Sequence, residues 1–202
     1  MNNFINYLEL GFTQVIPIGY DHILFILCLF FYNSKLKIVF LQCTIFTIAQ
    51  SLALALSASG VVIYNANLIE LLIAVTILYA AIENILFVKK YTLRIILIFI
   101  FGLIHGLGFA TALKEIDIPK KQFLTSLISF NIGVELGQIT IILTTYFLIY
   151  KWFSNKIWYK ERIVYPISTL IGCVALYWTI ERILLLKFLF GLNINFHQKS
   201  YQ

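Results

Sequence analysis

The chain reads as an all-α protein, a polytopic transmembrane helical bundle of about six spans with an N-terminal interfacial helix, and three observations carry that expectation. Hydrophobic residues make up 61% of the sequence and charged residues 12%, with a mean hydropathy of +0.92, far outside soluble usage. Apolar stretches recur at residues 15–32, 36–59, 68–88, 93–113, 123–150 and 163–186. A bilayer core of about 30 Å needs about 20 helical residues, and each stretch supplies that within a few. Finally, Asp21, His22, Glu83, His105 and Glu135 lie inside these stretches, where an ionisable group usually lines a polar path or faces a bound ion. The spans leave no length for a separate soluble domain, so residues 1–202 are expected to form a single membrane domain.

Taken in order, the first ten residues lack the basic start of a cleavable signal and read as a short amphipathic helix at the outer interface. In the first span Pro17 and Gly19 stand just before Asp21 and His22. They predict an irregular turn, which is tolerated at membrane depth where it lines a cavity. The second span carries Gln50. The third carries Glu83 and Asn84 toward one end and Glu70 near the other. In the fourth, Gly102 and Gly106 form a small-xxx-small pair beside His105 and Gly108, a close helix crossing with an imidazole at it. The fifth repeats the pattern with Gly133 and Gly137 around Glu135, and Asn131, Glu135 and Gln138 share one face. In the sixth, Glu181 and Arg182 read as a local polar contact, with Glu70 and Glu181 near the outer boundary. Cys28, Cys43 and Cys173 are isolated, each inside a span, and read as buried small apolar thiols.

The net charge of +6 sits in connections and span ends, where it orients a membrane protein and does not point to nucleic acid. Lys35, Lys37, Lys89, Lys90, Arg94, Lys151, Lys156, Lys160 and Arg162 fall on one side. Lys114, Lys120, Lys121, Lys187 and Lys199 fall on the other. The positive-inside rule then places both termini outside the cytoplasm. In that orientation Asp21, His22, Gln50, His105 and Glu135 lie within about one or two helical turns of a common level, so they are expected to meet in one polar pocket in the outer half. Glu83 and Asn84 are offset toward the inner side, as a second site on a path would be.

The motifs run in order along the chain: residues 11–25 (GFTQVIPIGYDHILF), 46–51 (FTIAQS), Glu70 followed by Glu83 and Asn84, 101–110 (FGLIHGLGFA), 130–138 (FNIGVELGQ), then Tyr177 and Trp178 with Glu181 and Arg182. This succession resembles the HupE/UreJ family, the hydrogenase- and urease-associated permeases of nickel and cobalt, over nearly the whole chain. The resemblance implies a six- to eight-span permease fold. It also implies uptake of a divalent ion of the nickel or cobalt class, carried as substrate with no organic cofactor. Asp21, His22 and His105 are the ligands it suggests, with Glu135 completing the core. Glu83 would be a second-site residue, and Gln14, Gln50, Asn84, Asn131 and Gln138 would form an outer shell or path. Implied partners are the lipid bilayer and extracytoplasmic metal-delivery or metalloenzyme-maturation proteins. The chain departs from the family where histidines are common, with Gln14 and Gln50 in their place, and His105 stands alone where some members repeat it. An amide oxygen lacks the imidazole nitrogen that nickel favours.

The strings HExxH and GxSxG, which would signal an intramembrane hydrolase, do not occur, so the chain is not expected to be an enzyme. The competing reading is a proton-handling or accessory membrane subunit, in which His22 and His105 make interhelical hydrogen bonds and the polar cluster is structural.

Overall fold

The computed structural model describes residues 3–86, 91–114 and 123–199. Lys89, Lys90, Lys120 and Lys121, which enter the orientation argument, lie outside the described residues. The helices are α1 (Asn3–Val15), α2 (Tyr20–Tyr32), α3 (Leu36–Ala58), α4 (Ala66–Leu86), α5 (Tyr91–Lys114), α6 (Phe123–Thr145) and α7 (Tyr165–Lys199). A π-helical turn, Tyr146–Tyr150, carries α6 on into the short helix Lys151–Phe153, and a second, Lys160–Val164, leads into α7. The helix α3 stops where Gly60 adopts φ 77°, a left-handed conformation that a side chain would strain. Among the described residues there is no strand, and five helices are long and apolar enough to cross a membrane, or six if α1 and α2 count as one broken span. The protein is therefore a multi-pass membrane protein built as an all-helical bundle.

The N-terminal helix departs from the interfacial position expected of it. It runs alongside α6 in the same direction: the Ser129 hydroxyl donates to the Phe4 carbonyl, and Gly133 lies against the backbone of Leu8 and Phe12. The chain then turns by 69° across residues 16–19 into α2. The far end of α2 meets the opposite side of the bundle. There the Asn84 amide at the end of α4 donates to the Cys28 carbonyl at 3.0 Å, and Arg94 near the start of α5 lies 3.4 Å from the Tyr32 ring centroid. Because α5 separates its own start from the start of α6, α1 and α2 together traverse the bundle as two half-helices. The break falls where Pro17 and Gly19 predict it, and α1 packs closely along α6 through Gly11 and Gly133.

Glycine sets the close approaches. Gly102 faces Phe46 and Ala49, and Gly106 faces Gln50 and Ala53, so α3 and α5 run in parallel with their backbones nearly touching. Gly11 and Gly133 do the same for α1 and α6, where an added Cβ would overlap main-chain atoms. In lipid, where apolar surfaces are not driven together by water, such close packing and interhelical hydrogen bonds supply the cohesion. The third pair is antiparallel: Ala81 of α4 meets Gly172 of α7, and Asn84 donates to Ser168 at 3.3 Å. Phe25, Phe30, Phe46 and Phe130 are fully buried between these pairs, whereas Ile48, Leu52, Ile82 and Leu86 face outward as lipid-contacting residues do. Cys28 and Cys43 are buried as expected, but Cys173 lies on the exposed face of α7.

Candidate metal centre

The irregular turn before α2 brings Asp21 and His22 to the first turn of a half-helix that starts inside the bundle. Gly19 permits this, since a Cβ there would overlap the Gln14 carbonyl and crowd the His22 side chain. The parallel α3–α5 pair presents His105 opposite, next to the Gly106 contact. One ligating atom from each of Asp21, His22 and His105 lies within 4.8 Å of the others. An ion with bonds of about 2.1 Å spans opposed ligands about 4.2 Å apart, so a small side-chain closure completes the triangle. The imidazoles are 5.3 Å apart between centroids and nearly perpendicular, at 77°. Phe109 stacks on His22 at 4.7 Å, and Phe46 meets both rings edge-on. These aromatic contacts hold the rings in place.

Hydrogen-bond accounting shows which nitrogens are open. The Thr76 hydroxyl donates to the Ile73 carbonyl at 2.7 Å and also contacts Nε2 of His105 at 2.9 Å. A hydroxyl has one proton. With that proton on Ile73, Nε2–H must donate to the Thr76 oxygen, which leaves Nδ1 with the lone pair. Nδ1 of His105 has no hydrogen-bond partner, and the fully buried His22 ring makes no well-formed hydrogen bond, with the Gln50 amide as its polar neighbour. An unpaired buried polar group costs about 1–3 kcal/mol, and each neutral imidazole offers one acceptor nitrogen, so His105 Nδ1 and one His22 nitrogen beside the Asp21 carboxylate form a set suited to a cation. Asp21 accepts the His22 backbone N–H at 2.8 Å and keeps further lone pairs on its carboxylate.

A cavity of about 400 Å³ reaches this cluster, lined by Gln14, Asp21, Glu70, His105, Trp178 and Arg182 among others. The fully buried Gln50 amide lies beside His22, close enough to interact with its ring though without a well-formed hydrogen bond. Glu135 is not brought into the triangle. It accepts a 3.4 Å hydrogen bond from Thr44, at the contact between α3 and α6. Gln138 accepts one from Thr47 at 3.3 Å, and Asn131 donates back to the Leu127 carbonyl of its own helix at 2.8 Å. Of the face read from the fifth span, Glu135 and Gln138 bind α6 to α3 and Asn131 bonds within its own helix, so none of the three joins the Asp21, His22 and His105 cluster.

Glu83 also has a different neighbour from the one expected on an ion path, since it is ion-paired with the buried Arg94. Asn84, the adjacent residue, lines a second cavity of about 460 Å³ at the other end of α2, with Asn33, Ser34, Tyr150, Tyr159 and Lys160. Burial lifts the Tyr159 phenol above its ordinary pKa, so it remains a neutral hydroxyl there. Arg182 does not close a local contact with Glu181. Its Nε lies 3.6 Å from the Glu70 carboxylate across the mouth of the first cavity.

Thr76, Glu70 and Arg182 therefore belong to the neighbourhood of the site, and sequence reasoning gave none of them that place. Matching depth across the antiparallel α4 and α5 would have found Thr76, which is level with His105. A family model described as HupE / UreJ protein matches residues 1–182. No curated protein and no solved structure matches the chain.

Proposed function

The chain belongs to the HupE/UreJ family, and from that premise we propose that it is a membrane permease for a divalent transition-metal ion of the nickel or cobalt class. The observation that supports the reading is the meeting of Asp21, His22 and His105, with Nδ1 of His105 unpartnered, at a cavity in the bundle. Imidazole and carboxylate ligands suit these ions. Three protein ligands leave positions for water, and such partial coordination suits passage better than a closed cage. The ion is substrate, and the protein acts as a carrier without catalysing a reaction. It would exchange water for Asp21 and His105 in the first cavity, then engage His22, then leave past Asn84 through the second cavity. Glu135 stays outside this route, as a group that ties α6 to α3.

In this reading the protein sits in a bacterial inner membrane with both termini outside the cytoplasm, where metal-delivery or metalloenzyme-maturation proteins would meet the first cavity. A cytoplasm-only reporter fused after Gln202 is expected to be silent, and activity there would reverse the orientation. The competing reading, an accessory subunit with a structural polar cluster, draws on the neutral Gln50 amide beside His22, where a stronger nickel site would offer an imidazole. Nickel and cobalt accumulation in a transport-deficient host separates the two. Asp21→Asn and His105→Ala are each expected to remove uptake while leaving membrane levels unchanged. Parent-level accumulation in both variants would make these residues structural and end the permease reading.

A further inference from the structure

The first cavity carries charge at its mouth as well as at its floor. Glu70, on α4, is about half exposed, with 53% of its side chain accessible, and Arg182, on α7, retains 25%. Both line the same cavity as Asp21 and His105. A carboxylate in that position is a natural first contact for an arriving cation, yet here an arginine already occupies it.

The arginine is loosely held. Its Nε is 3.6 Å from Glu70, its Nη1 is 3.5 Å from the Trp178 carbonyl, and its guanidinium centre is 5.6 Å from the Trp178 ring centroid. Good N–H···O bonds are about 2.7–3.2 Å long, so both polar contacts are at or beyond the limit. Nε is buried without a hydrogen bond. An arginine meant as a permanent brace would form the close, two-pronged bond that its shape allows with a carboxylate. The buried Arg94 differs in making direct contact with the Glu83 carboxylate and lying over Tyr32, although its Nε and Nη2 are likewise without partners.

We propose that Glu70 is a receiving site for a divalent cation at the cavity mouth, and that Arg182 is its tethered competitor, displaced when the ion arrives. This rests on the reading of Asp21, His22 and His105 as the metal centre. The physical basis is simple competition for one carboxylate. A dication in a partly dehydrated cavity interacts with Glu70 more strongly than a single positive charge held at long range. The displaced guanidinium keeps its place over Trp178, where the aromatic face and the helix carbonyl retain it. The arrangement raises the threshold for weakly interacting cations, because each must supply enough attraction to separate the pair.

The prediction has an unusual sign, since removing Arg182 should improve binding. Nickel chloride would be titrated calorimetrically into the purified full-length protein in detergent, with cobalt chloride as a second probe. Arg182→Gln is expected to tighten the apparent Kd about threefold to fivefold, and Glu70→Gln to weaken it by a similar factor. In the Glu70→Gln background, Arg182→Gln should give no gain, because its partner is gone. Arg182→Met, which keeps the aliphatic stem against Trp178, repeats the test should the glutamine variant fail to purify as a monodisperse species. The gain should shrink as sodium chloride is raised, since screening weakens the competing pair. If the parent binds neither ion, the metal-centre reading falls and this inference falls with it. If the parent binds but neither Arg182 variant tightens binding, or the gain persists without Glu70, this inference alone is overturned.

Discussion

The two ends of α2 each carry a buried polar cluster, and they are completed in opposite ways. At the far end the charges answer one another: Glu83 pairs with Arg94, Arg94 covers Tyr32, and Asn84 donates to both Cys28 and Ser168. At the near end Asp21, His22 and His105 bring ligand atoms within 4.8 Å of one another, and among the described residues no ion pair engages Asp21. Burial is comparable, so depth alone does not separate a structural cluster from a binding one. What separates them is charge: the far end holds its own ion pair, although Arg94 Nε and Nη2 and Asn84 Oδ1 are without partners, whereas the near end gathers a carboxylate and two imidazoles around no cation of the protein. The far end joins α2, α4, α5 and α7, and the near end holds those same elements in place around an open valence.

The sharpest way to break this contrast is to unbalance the far end. Glu83→Gln leaves Arg94 as an uncompensated buried charge, and the expected loss is about 3–5 kcal/mol of stability. Thermal unfolding of the detergent-solubilised protein should register it, while the nickel affinity of the molecules that remain folded stays at the parent value. If Glu83→Gln instead removes nickel binding from well-folded protein, the far end is part of the site and the distinction fails. At the near end, Thr76→Val removes the oxygen that receives the Nε2 proton of His105 and frees the ring to change tautomer. Metal affinity is expected to fall about tenfold, with recovery in Thr76→Ser. An unaltered Kd in the valine variant would show that the hydroxyl does not orient the ring.

Smaller effects sharpen the comparison. Gln14→His together with Gln50→His adds imidazole nitrogens beside the open cluster and should strengthen nickel binding several-fold relative to magnesium. No change in that ratio would place both glutamines beyond ligand reach. Glu181 is exposed on α7 and has no part in the Glu70–Arg182 pair. Glu181→Gln should leave uptake within about 0.5 kcal/mol of the parent when the rates are compared as free energies.

Much of this was legible in the sequence because lipid allows few solutions. Apolar runs of span length announce helices, and the glycines at 102, 106 and 133 announced contacts that the fold makes. Pro17 and Gly19 marked the break correctly, and Asp21, His22 and His105 were identified and do meet. Glu135 was misplaced because depth is readable from residue count whereas direction around the helix is not. It lies at a suitable level but turns toward Thr44. Glu83 escaped for a related reason, since its partner Arg94 had been counted only among the charges that set orientation. The N-terminal helix looked interfacial because its polar residues lie on one side, but the tight contact that seats it against α6 comes from Gly11 and Gly133, one on each helix. Neither glycine reveals its partner alone.

The start of α2 bears on how long an ion stays. A helix amino end carries about half a positive charge, and Asp21 in its first turn is the single acidic group of the ligand cluster. Two neutral imidazoles add no compensating charge. A dication held there leaves the immediate surroundings with a net positive balance, in a setting that screens poorly. The half-helix thus makes a shallow energetic well, one that favours short residence and rapid exchange over accumulation. Weak equilibrium affinity and short dwell time follow together from this geometry.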